Sequence, residues 1–115
     1  MTSVKSKDGP LVRYYDNGQV EYEGNFKDGE RDGLYVTYHE NGQLWYKGNF
    51  KDGEQDGPWV RYYDNGQLES KSTYKDGERD GLYVTYHENG QLWYKGNFKD
   101  GKLDGPLVRG QLQGR

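Results

Sequence analysis

One dipeptide pair recurs along this chain at a spacing that does not drift. Asp-Gly returns at 8–9, 32–33, 56–57, 80–81 and 104–105, and Asn-Gly at 17–18, 41–42, 65–66 and 89–90, a period of 24 residues. A second order lies above it. Residues 27–53 are repeated without change at 75–101, and Gly-Pro-x-Val-Arg-Tyr-Tyr-Asp-Asn-Gly-Gln at 9–19 returns at 57–67. Units therefore alternate A, B, A, B and end in a partial, A-like fifth. A fixed period of this length marks an array in which each unit rests on its neighbours.

Within a unit the order is a short apolar run, Asn-Gly, a second apolar run, and then Lys-Asp-Gly-x-x-Asp-Gly. Asn-Gly between two such runs is a strong short hairpin signal, and the Lys27–Gly33 segment supplies the turn into the next hairpin. No segment carries a helical period. The spacing predicts an all-β chain, a single-layer elongated antiparallel sheet of tandem β-hairpin repeats. Its units are 8–31, 32–55, 56–79, 80–103 and a partial 104–109, with flexible segments at 1–7 and 110–115.

Side-chain parity sets the expected loop. Strand residues alternate between faces, so the number of loop residues decides which side chains share one. A three-residue loop, Glu40-Asn41-Gly42 with Gly42 left-handed, gathers Val36, Tyr38, Leu44, Tyr46, Gly48 and Phe50 on one packing face. The other face then holds Tyr35, Thr37, His39, Trp45 and Lys47. In that register positions 37 and 45 oppose each other. A units place Arg13 with Glu21 and Arg61 with Glu69 there; B units place Thr37 with Trp45 and Thr85 with Trp93.

Composition bears on what can hold such a sheet together. Only 30% of the residues are hydrophobic and 30% are charged, a balance close to that of disordered chains. The 12 Tyr, 3 Trp and 3 Phe supply large buried area instead, so the fold is expected to rest on aromatics. With no Cys there is neither a disulfide framework nor a thiolate metal site, and the start carries no apolar run, so a cytoplasmic location is expected. The net charge of −3 comes mostly from turns: every acid except Glu21, Glu23 and Glu69 sits in one. Nucleic acid is not an expected partner.

The stretch Tyr22-Glu-Gly-Asn-Phe-Lys-Asp-Gly-Glu-Arg-Asp-Gly33 resembles the MORN (membrane occupation and recognition nexus) repeat, Tyr-x-Gly-x-Phe/Trp-x-x-Gly-x-x-x-Gly, and the match recurs at 46–57 and 94–105. Unit three departs from it, with Ser70, Ser72 and Tyr74 in place of Tyr, Gly and Phe. Where the repeat has a further Gly this chain has Tyr35, Trp59 or Tyr83. Tyr62-Tyr-Asp-Asn-Gly-Gln-Leu68 is more similar to the bacterial variant found in YwqK-type antitoxin-like proteins. The resemblance implies a β-hairpin ribbon used in protein association, often self-association, with lipid binding claimed for some members.

Candidate chemistry is sparse. His39 and His87 stand two units apart, on the order of 20 Å, and cannot share a metal ion. The Asp-Gly-Glu-Arg-Asp-Gly loops lack the alternating acids and closing Glu of a calcium loop, so they are turns and no metal or cofactor is expected. No nucleophile motif, phosphate loop or paired carboxylates appear, so no enzymatic activity is expected. What remains is an aromatic, mildly basic face. Tyr35 is placed across from Lys47, Trp59 from Lys71 and Tyr83 from Lys95, with Trp45 and Trp93 crowning the B units and His39, Arg61, Tyr63 and His87 beside them. Trp, Tyr and Arg dominate protein recognition, so the expected role is a protein-interaction scaffold, self-association and a homodimer included. A phospholipid surface and a carbohydrate or other small ligand are the alternatives; weak or no lipid binding is expected, since the basic residues are few.

Overall fold

The computed structural model describes residues 8–111, which form one open antiparallel sheet without helices. Its strands are β1 (Gly9–Tyr14), β2 (Val20–Lys27), β3 (Glu30–Tyr38), β4 (Leu44–Lys51), β5 (Glu54–Tyr62), β6 (Leu68–Lys75), β7 (Glu78–Arg79), β8 (Gly81–Tyr86), β9 (Leu92–Lys99), β10 (Lys102–Leu103) and β11 (Val108–Arg109). Strands pair in chain order as far as β6; β7 and β8 both lie on β6, and β10 and β11 both lie on β9. The sheet measures 63 × 37 × 14 Å, a single elongated layer as the repeat requires. Segment 1–7 and residues 112–115 of the expected tail lie outside the described residues. Gly110, placed in that tail by the sequence, donates its N–H to the Trp93 carbonyl at 2.7 Å.

Two turns alternate. The Asn-Gly loops have three residues: Gly42 lies at φ 90°, its N–H donates to the His39 carbonyl at 2.9 Å, and the His39 N–H donates to the Gln43 carbonyl at 2.8 Å. Gly is needed there because a side chain is strained at such a φ. The connections between hairpins are tighter. Lys27 pairs with Glu30 across Asp28 (φ 53°) and Gly29 (φ 80°), the two positive φ values of a two-residue turn that matches strand twist.

The loop is the one parity suggests, yet the expected faces are not formed. Tyr38 pairs with Leu44, but Thr37 pairs with Tyr46, so Trp45 is an extra residue in β4 with no partner. The same shift recurs in the other hairpins, where Glu21, Glu69 and Trp93 are passed over. Such a bulge reverses the parity of everything beyond it. Tyr35 therefore pairs with Gly48, and Val36 with Lys47. Tyr46, Gly48 and Phe50 lie with Tyr35, Thr37, His39 and Trp45 on one side. Val36, Tyr38, Leu44 and Lys47 lie on the other. The contacts expected between Arg13 and Glu21 and between Arg61 and Glu69 do form, at 3.7 and 3.6 Å, because the bulged residue leans toward its neighbour's partner.

Stability resides in the joints between hairpins. Trp59 of β5 lies over Gly48 of β4; a Cβ on Gly48 would come within 2.0 Å of the indole. Tyr35 crosses Gly24 in the same way. Tyr35 and Trp59 are 8% and 7% exposed, and with Val36 and Val84 on the other side they form the core of this single layer. Successive Asn-Gly turns are tied by side chains. Tyr15 Oη donates to the Tyr38 carbonyl at 2.5 Å, His39 Nε2 to that of Tyr62 at 2.9 Å, and Tyr63 Oη to that of Tyr86 at 2.7 Å. A carbonyl only accepts, so His39 carries its hydrogen on Nε2. Asn41 Nδ2 likewise donates to the Asp64 carbonyl at 2.9 Å.

Candidate functional site

The side shared by Tyr35 and Tyr46 carries an aromatic ladder that runs along the array. Ring centroids are 5.8 Å apart for Tyr22–Tyr35, 5.5 Å for Tyr35–Phe50, 5.1 Å for Phe50–Trp59 and 6.3 Å for Trp59–Tyr74, mostly tilted or edge-on. A second run joins Tyr83 to Tyr94 at 6.2 Å and to Phe98 at 5.6 Å. Edge-on packing sets the positive ring edge against the negative face of the next, so these contacts add to simple area burial.

Between the two runs the ladder is interrupted. Units one, two and four carry Tyr22, Tyr46 and Tyr94 at one slot; unit three has Ser70, and Ser72 where the others have Gly. The missing ring leaves a groove of about 530 Å³. Ser70 and Ser72 line it together with Tyr46 and Trp59 from one flank and Tyr83 and Tyr94 from the other. Arg31, Arg61, Arg79 and Glu69 also line it, so it holds more positive than negative charge although the chain is net negative.

The arginines are held by rings. Arg79 stacks 4.3 Å from the Tyr83 centroid and Arg31 stacks 4.8 Å from that of Tyr35, while Arg61 lies 5.0 Å from Tyr46 and 5.8 Å from Trp45. Arg79 Nε is buried and has no hydrogen-bond partner among the described residues. Burial raises the Tyr35 phenol above its usual value, with Tyr46 adding to this and Arg31 opposing it. Burial also raises Tyr83, against the pull of Arg79. Near the turn edge burial raises Tyr63, reinforced by the carboxylates of Glu69 and Glu88.

The residues singled out from sequence are divided by the bulge. Tyr35, Trp59, Arg61, Tyr63, Tyr83 and Trp93 do converge on the groove. Tyr35 and Trp59 are there as buried packing rings and not as exposed contacts. Lys47, Lys71 and Lys95 pair with Val36, Val60 and Val84, on the opposite side. The expected pairing of Tyr35, Trp59 and Tyr83 with those lysines is therefore not made; Arg31 and Arg79 take the cationic role over Tyr35 and Tyr83. Those arginines were hidden in what reads as a long turn. The two-residue turn at Asp28-Gly29 starts the next strand at Glu30, and that start is the signal for them. His39 stacks on Trp45 at 4.8 Å and His87 on Trp93 at 4.4 Å, beside shallow hollows at the turn edge. Among the described residues no group of three or more His, Cys, Asp or Glu could hold a metal ion.

A family described as the MORN repeat variant matches this chain over residues 7–28, 31–52, 55–76 and 79–100. The chain belongs to that family. Each of the four MORN matches frames one hairpin with its Asn-Gly loop, and the turns at Asp28-Gly29, Asp52-Gly53, Asp76-Gly77 and Asp100-Gly101 fall at their ends. No curated protein matches the chain. MORN repeats are generally linked to interactions with proteins or membranes, and the departure of unit three from its neighbours sets this chain's groove apart within its own array.

Proposed function

We propose that this chain is a non-enzymatic scaffold that binds a protein partner in the groove of its third unit. The observation that carries this reading is the hollow at Ser70: the repeat supplies a ring at that slot in three units and withholds it in one. A groove walled by Tyr, Trp and ring-stacked Arg suits a segment bearing apolar and acidic side chains, because such rings bury area with little entropy loss and guanidinium pairs with carboxylate. The Tyr62–Leu68 stretch supports a finer kinship with YwqK-type antitoxin-like proteins, which bears on the choice of partner to test. A lipid surface is less well supported, since Lys47, Lys71 and Lys95 lie on the side away from the ring-stacked arginines.

The test fills the hollow. Peptides enriched from a displayed library on the unmodified chain are titrated against Ser70→Tyr, which restores the ring of the other units. Binding at least roughly tenfold weaker, with an unchanged far-UV circular dichroism spectrum, is expected if the groove is the site. Equal affinity overturns it, and a fluorescence response to a sugar panel but to no peptide redirects it to a small-ligand site.

A further inference from the structure

Beyond the groove, the two ends of the array match each other. Asp8-Gly-Pro-Leu-Val-Arg13 and Asp104-Gly-Pro-Leu-Val-Arg109 are the same six residues. The second copy closes the array, where Val108 pairs with Lys95 and Arg109 with Tyr94. That is the register of the internal joint between β4 and β5, where Val60 pairs with Lys47 and Arg61 with Tyr46. The first copy is β1, whose only strand neighbour among the described residues is β2. Leu11, Val12 and Tyr14 there are 45%, 42% and 60% exposed.

The closing segment imitates a following unit only in part. After Arg109 comes Gly110, where the internal unit continues Tyr62-Tyr-Asp-Asn-Gly66 and β1 continues Tyr14-Tyr-Asp-Asn-Gly18. Two contacts of the internal joint are incomplete at the end among the described residues. His39 donates to the Tyr62 carbonyl, whereas the His87 ring makes no such bond among the described residues. Trp45 is covered by Arg61, whereas Trp93 is 39% exposed.

We infer that the β9 edge receives the β1–β2 hairpin of a second copy of this chain, which displaces segment 104–109 and joins copies head to tail. In that joint Val12 opposes Lys95 and Arg13 covers Trp93. The Tyr14 carbonyl accepts from His87, which supplies the bond absent at this end, and the Asp16 carbonyl accepts from Asn89. Segment 104–109 is then a tethered competitor of identical sequence. A tethered strand acts at a local concentration of order millimolar, so it holds assembly of the intact chain to high concentration. This joint meets the groove only at its Trp93–Tyr94 end and leaves Ser70 and Ser72 free, so the peptide titration and the sedimentation test can fail independently.

Sedimentation of the full chain and of single variants tests the joint. Val108→Asp removes the tethered competitor and leaves the acceptor edge open, so association strengthens by roughly tenfold or more. Val12→Asp removes the donor and leaves a monomer, and adding it to Val108→Asp abolishes the gain. A Val108→Asp chain that stays monomeric into the millimolar range, or association indifferent to Val12→Asp, overturns the proposal. Because the chain has no Cys, Val12→Cys with Lys95→Cys gives a direct check in the otherwise unaltered protein. Oxidation yields a ladder of covalent oligomers from the double variant and at most dimers from either single one; monomer alone from the double variant overturns it.

Discussion

The second and third units share a backbone and differ in what stands on it. In unit two Tyr46 fills its slot, Gly48 is bare, and Trp59 from the next hairpin closes over it. In unit three Ser70 leaves the slot open and Ser72, 9% exposed, takes the place of the glycine. Hydrogen-bonded pairing is the same in both, Thr37 to Tyr46 and Arg61 to Ser70. The ladder and the turns thus specify the ribbon, while the slots on its aromatic side can be filled for packing or left open without altering the path of the chain.

Removing the ring that closes the filled slot has the largest expected effect. Trp59→Ala takes away the hub that touches Tyr46, Phe50 and Tyr74, and should cost about 3–5 kcal/mol, a large part of the stability of a domain this size, read as a lowered urea midpoint. Gly48→Ala probes the same joint from beneath. Its methyl group would meet the indole at 2.0 Å, so a loss of about 1–3 kcal/mol is expected, whereas Ser72→Ala in unit three should change little. An equal loss at both positions would mean that the two slots are not different after all.

Filling the empty slot should act in the other direction. Ser70→Tyr adds a ring between Trp59 and Tyr83 and should raise stability by about 0.5–1.5 kcal/mol in the same denaturation series. Alkaline pH sharpens the contrast through the phenols. In Tyr35 and Tyr83 burial raises the pKa above 10.0, so the folded chain holds those protons more tightly than the unfolded chain. Their contribution is intact below pH 10 and is lost as pH rises through the folded pKa. Thermal midpoints should therefore fall above pH 10, and Tyr35→Phe with Tyr83→Phe should flatten that fall. The smallest effect is expected at the exposed Arg61–Glu69 pair on the rim of the groove, where a double-mutant cycle should return about 0.2–1 kcal/mol, declining with salt.

The array itself was legible from residues alone. The 24-residue period, the hairpins and the left-handed Gly42 follow from chemistry local to a few positions, where Asn-Gly and Asp-Gly make particular turns cheap and others costly. Which side chains share a face was not legible, because parity alone gives the wrong answer across a bulge. One unpaired residue per hairpin, Trp45 in unit two, inverts the alternation, and a bulge leaves no mark in composition or spacing because it is set by how two strands twist against each other. The groove was half legible: Ser70 and Ser72 could be seen to depart from the repeat. Only the packing of successive hairpins showed that Trp59 and Tyr83 flank the gap while Arg79 reaches it across Tyr83, since those contacts join residues that the sequence holds a full unit apart.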